Sequence, residues 1–196
     1  MRGLPLNVND LVLLAWAPRL WPSDFKRGFR IQDSNPQSRL EFVKAVDAAL
    51  ALIEENDALR FGRLSIEVRT IIHMPCMNAG RYSRLFRVCL VDLRHFPFAE
   101  DPELAIRLLA GLLVHESTHG YLYRKKVLQT RRRDLHRAES ICWMEEVRFH
   151  RKLGFDYSSF KPSTEWLKDP PLRERFKFAA GAFKRELNNG AERKSD

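Results

Sequence analysis

From Asp101 to Gly120 the chain runs through a segment whose pattern constrains everything packed around it. Asp101-Pro102-Glu103 supplies a cap, a first-turn proline and an acidic residue at the positive end of a helix dipole. Leu104, Ile106, Leu108, Leu109, Leu112 and Leu113 then fall on nearly every side of the helix that follows. A helix that is apolar all round must be enclosed by neighbours. With 196 residues, 44% of them apolar, the chain can build one good core but hardly two. We expect a single domain over residues 1–187 and a frayed tail over 188–196.

The end of this helix carries chemistry. Val114-His115-Glu116-Ser117-Thr118-His119-Gly120 reads H-E-x-x-H. Residues four apart on a helix stand one above the other, so His115 and His119 can aim two imidazoles at one ion, for which zinc is the natural choice. Glu116 lies to one side of that axis, close enough to take a proton from a water on the metal, and is the candidate general base. A second helix is predicted from Asp134 to about Leu153, where Gly154 stops it. On it Glu139, Cys142 or Trp143, and Glu146 recur at three-, four- and seven-residue steps and share a face, while Glu145 points elsewhere, toward solvent.

A metzincin is excluded, because Leu122 and Lys125 occupy the places of that group's glycine and third histidine. The set His115, Glu116 and His119, with Glu139 twenty residues further on, resembles that of the gluzincin metallopeptidases. The resemblance covers about thirty residues, from Leu112 to Glu146. It implies one Zn2+ held by His115, His119 and Glu139, with Glu146 either accepting a histidine N–H or replacing Glu139 as the ligand. It also implies an α+β, zincin-like fold, mostly helical, with a small antiparallel or mixed sheet preceding the H-E-x-x-H helix. In that arrangement part of residues 85–92 is an edge strand that lines a cleft for an extended peptide. The reaction implied is hydrolysis of a peptide or similar amide, with a zinc-activated water, Glu116 as base, and His136, Tyr121, Tyr123 or Tyr157 as possible oxyanion donors.

The remaining segments read as supporting structure. Pro18, Pro22 and Gly28 break residues 1–35 into irregular structure that carries Trp16, Trp21 and Phe25 onto the domain, with a short helix over Leu11 to Trp16. Ser34-Asn35-Pro36 opens a helix in which Leu40, Val43, Val46, Leu50 and Ile53 recur at helical spacing up to Asn56-Asp57. Alternation of Leu64, Ile66, Val68, Thr70 and Ile72 predicts a strand, residues 74–84 a loop, and Leu85 to Val91 a second strand, antiparallel to the first. Beyond Lys161-Pro162 and Asp169-Pro170-Pro171, a last amphipathic helix runs from Leu172 to Leu187.

Charge bears on partners and compartment. Lys plus Arg outnumber Asp plus Glu by 34 to 25, a net +9. The connector after the metal-site helix holds Arg124, Lys125, Lys126, Arg131, Arg132 and Arg133. Its plain reading is a solvated loop; as a surface it would attract an acidic partner or, weakly, nucleic acid. Cys76, Cys89 and Cys142 are too few and too irregularly spaced for a disulfide framework. No apolar run is long enough to span a bilayer, and Leu11 to Ala17 lacks the basic lead of a signal peptide, so we expect a cytoplasmic protein. A reading of a different class is a zincin-like metal-binding module that cuts nothing, or a nucleic-acid-associated protein loosely like the SprT type, which also carries H-E-x-x-H.

Overall fold

The structure, a computed structural model, describes residues 21–35, 37–75, 79–127 and 132–155, with the helix backbone alone over 132–136. All of these fall in the unit Met1–Ser159. The terminal helix expected from Leu172 to Leu187, the tail from Asn188, the short helix from Leu11 and Tyr157 lie outside the described residues.

The described fold is α+β, four helices with one five-stranded mixed sheet. Its elements are β1 (Ser23–Lys26), β2 (Phe29–Asp33), α1 (Arg39–Asn56), α2 (Ala58–Glu67), β3 (Thr70–His73), β4 (Gly80–Ser83), β5 (Val88–Val91), α3 (Pro102–Arg124) and α4 (Arg132–Lys152). The strand order is β1-β2-β3-β5-β4. β2, β3 and β5 run parallel, in a register that aligns Asp33, His73 and Val91, and antiparallel β1 and β4 close the two edges. No helix of the described residues is long and apolar enough to cross a membrane.

Four sequence expectations are corrected here. Residues 23–33 form a hairpin where irregular structure was expected, because Arg27 (φ 50) and Gly28 (φ 85) both take the positive φ of a tight two-residue turn. The helix after it starts at Arg39, later than Ser34-Asn35-Pro36 suggested, since the Ser38 hydroxyl donates to Asp33 Oδ2 (2.8 Å) instead of capping. The first half of the strand expected from Leu64 is helix α2. Asp57 caps it by accepting from Arg60 N (3.2 Å), and Arg60, Leu64 and Glu67 are buried at helical spacing while Ile66 is exposed. Finally, residues 80–83 of the supposed loop are β4. The strand expected over 85–91 shortens to β5, which is a parallel neighbour of β3 and lies inside the sheet. The edge beside the metal-site helix is therefore β4, and 85–92 is not an edge.

The core lies between one face of the sheet and the helices. Ile31, Ile71, Cys89 and Val91 meet Val46, Ala49 and Leu50 of α1, Leu109 and Leu113 of α3, and Phe149 of α4. Asp101 caps α3 as expected, accepting from Leu104 N at 2.9 Å. Enclosure of α3 by α1, α2, α4 and β4 holds the directions of its side chains.

Candidate metal centre

Helices α3 and α4 pack side by side and bring their polar stripes together. His115 and His119, one turn apart on α3, approach with their Nε2 atoms 3.2 Å from each other. Glu139 of α4 completes a triangle, Oε2 lying 3.4 Å from His115 Nε2 and Oε1 3.4 Å from His119 Nε2. A tetrahedral ion with bonds of about 2.0 Å needs ligands roughly 3.3 Å apart, so the three donors fit one zinc ion without rearrangement. Nitrogen and carboxylate oxygen are also donors that zinc accepts.

The surroundings favour positive charge at the meeting point. Burial would lower the pKa of His115, but Glu139 and Glu146 outweigh it and hold the imidazolium up to about 10. Burial would likewise raise Glu139, yet His115 and His119 hold its carboxyl down to about 2. Each charge is anchored by the others. Glu146, two turns beyond Glu139, accepts from His115 Nδ1 at 3.0 Å, so an ion that displaced the Nε2 proton would find that nitrogen's lone pair turned toward Glu139. The other role considered for Glu146, replacing Glu139 in the triangle, does not match this placement.

Glu116 is buried beside both imidazoles, and burial pushes its carboxyl above the usual carboxylate range. Ser117 and Thr118 turn their hydroxyls back to Val114 O (2.9 and 2.8 Å), so neither competes for the site. Glu139 is about one third exposed (35%), so solvent reaches the triangle from its side.

Two further neighbours adjoin the site: Cys142, whose spacing already set it on the face of Glu139 and Glu146, and His150, which no sequence pattern singled out. Cys142, one turn after Glu139, is fully buried, as a small apolar residue would be, yet its Sγ lies within 4.8 Å of a ring nitrogen of His115 and of His119. Burial, reinforced by the charge of Glu139, keeps the thiol protonated above its ordinary range. His150 is also fully buried, its ring against Gly111 of α3 and its Nε2 4.0 Å from Glu146 Oε1. A glycine in the middle of an apolar helix was the signal for that close approach.

The other candidates scatter. Half-buried Tyr121 faces Arg63, Arg124 and Lys125, and Tyr123 lies under Arg84. Of His136 only the backbone is described. Glu145 does point away from the site, but not into solvent: it binds Arg60 (3.0 Å), Arg63 (3.1 Å) and Arg148 (2.7 Å). Of the basic connector, Arg124, Lys125 and Lys126 are described and Arg131 is not, while Arg132 and Arg133 begin α4.

Compared with protein-family models, curated proteins and solved structures, the chain matches none of them.

Proposed function

We propose that this chain is a zinc-dependent hydrolase, a metallopeptidase of zincin-like fold that cleaves peptide bonds. The observation that carries the reading is the triangle of His115, His119 and Glu139, with sides of 3.2 to 3.4 Å, beside a buried Glu116. When bound there, zinc supplies Lewis acidity, acidifying a water and polarising a carbonyl. The chain's own groups do the rest. Glu116, raised by burial, takes the water's proton on a carboxylate oxygen and passes it to the departing amine nitrogen. Glu146 fixes the His115 ring through Nδ1. Edge strand β4 lies along the same helix, Gly80 against Leu112 and Tyr82 against Gly120, so a peptide paired to its free side would pass the triangle.

Glu116→Gln should retain one equivalent of zinc and lose hydrolysis by about 10²-fold or more, whereas His119→Ala should lose both. Metal content by elemental analysis and cleavage of casein and short peptides, with and without chelator, check this. A Gln variant as active as the parent would sink the base assignment.

Cys142 supports a second reading. A fourth protein ligand at this position would close the site into the non-catalytic metal-binding module. In a cobalt-substituted protein, a sulfur-to-metal charge-transfer band that disappears in Cys142→Ser would select that reading. A Cys142→Ser protein that binds and cleaves like the parent would exclude it.

A further inference from the structure

We infer that the substrate is an acidic polypeptide and that Arg84 selects it, an inference that rests on the peptidase reading and adds the substrate's chemical class. Tyr123 follows His119 by four residues, so it continues the stripe of His115 and His119, one turn and about 6 Å along the helix axis. Over its ring sits the guanidinium of Arg84, 5.6 Å from the centroid. Arg84 is the first residue past β4, in the turn that leads to β5, with exposed Leu85 beside it. The stacking holds a cation where edge strand and metal-site helix converge.

The neighbouring charges differ in kind. Arg124 is offset by Glu67 (2.6 Å) and Arg63 by Glu145 (3.1 Å). Arg84, Lys125 and Lys126 are exposed, and none of them pairs with a carboxylate of the described residues. A peptide drawn along β4 past the triangle therefore leaves its far end beside three cations that no carboxylate of the described residues offsets. A carboxylate side chain two or three residues from the scissile bond meets Arg84 first.

Polypeptide is favoured over nucleic acid on two counts. β4 is an edge strand of the sheet among the described residues, and a sheet edge recognises another backbone of the same kind. The two tyrosine faces beside these cations are already covered, Tyr121 by Arg63, Arg124 and Lys125, and Tyr123 by Arg84, so neither is open to stack a base.

The test is binding of fluorescently labelled peptides to the full-length, zinc-loaded protein, followed by anisotropy, using a glutamate-containing peptide and its glutamine-matched copy. At low salt the acidic peptide should bind about tenfold more tightly, and the difference should shrink as salt rises. Arg84→Glu should abolish the preference, Arg84→Lys should keep most of it, and Lys44→Glu, on the exposed face of α1, should leave it intact. Equal affinity for the two peptides, or a preference untouched by Arg84→Glu, overturns the proposal. So does a single-stranded oligonucleotide that displaces the peptide and binds more tightly through Arg84. Acid preference without cleavage would defeat the peptidase reading, and with it the word substrate, while leaving Arg84 as the contact for an acidic peptide; cleavage without preference would keep the peptidase reading and overturn this one.

Discussion

In the proposed metal site, Glu146 acts through a histidine ring and not on the ion itself. By accepting from His115 Nδ1 at 3.0 Å it fixes both the tautomer and the tilt of a ring whose other nitrogen faces Glu139. Carboxylates in this role raise ligand basicity, and losing them weakens metal binding by about 10- to 100-fold. Glu146→Gln should therefore weaken zinc binding by that factor, read by competition with a chelator, while the α-helical circular dichroism stays unchanged. Equal affinity in the variant would mean the contact is incidental. At this scale the sequence was most legible where geometry is local: the four-residue spacing aims His115 and His119 together whatever the rest of the chain does. Cys142 and His150 were less legible, because their positions depend on how α4 is rotated against α3, which no single-helix pattern specifies.

That rotation is set where the two helices touch. At Gly111, a Cβ would overlap the buried ring of His150, so the absence of a side chain on α3 lets α4 approach at this point. Glu139 and Glu146 ride on the same helix as His150 and share its placement. Gly111→Ala should destabilise the protein by about 1–3 kcal/mol in urea unfolding, through overpacking, and should weaken zinc binding as α4 shifts outward. In a His150→Ala background the same substitution should cost far less, a coupling that a double-mutant cycle measures directly. Full additivity of the two changes would show that the contact does not set the helix separation. Elements whose ends are marked by local chemistry were readable in the same way, α3 from Asp101-Pro102-Glu103 being the clearest case. Leu64 to Ile72 was not, since apolar residues at 64, 68 and 72 suit a helix as well as a strand; the Asp57 cap and the burial of Glu67 decide for helix up to that point. That these two strands are neighbours was readable, but the parallel sense of β3 and β5 was hidden because the chain visits edge strand β4 between them.

For the molecule as a whole, the helix that carries the carboxylates is tied to the rest by ions as well as by its core. Asp57, at the junction of α1 and α2, receives Lys152 Nζ (2.6 Å) from the end of α4 and the guanidinium of Arg60, while Arg60 and Arg63 reach across to Glu145. Burial would raise the Asp57 pKa, but Lys152 and Arg60 more than offset it and hold the carboxyl below its usual value. A carboxyl with a folded pKa below its unfolded one contributes stability in full at neutral pH. That contribution fades as pH falls through the ordinary carboxylate range near 4 and is gone below the folded value. Asp33, held down by His73 and Ser38 against its own burial, and Glu145 act in the same direction. The chain already carries +9, and protonating its carboxylates adds self-repulsion in the same acid range. Urea midpoints should therefore be flat from pH 7 to about 5 and fall steeply below pH 4. Asp57→Asn keeps an oxygen to cap α2 and removes only the charge. It should lower the midpoint at pH 7 and flatten the acid fall, and a variant that loses stability with acid as steeply as the parent would show that Asp57 does not tie α4 to the junction of α1 and α2.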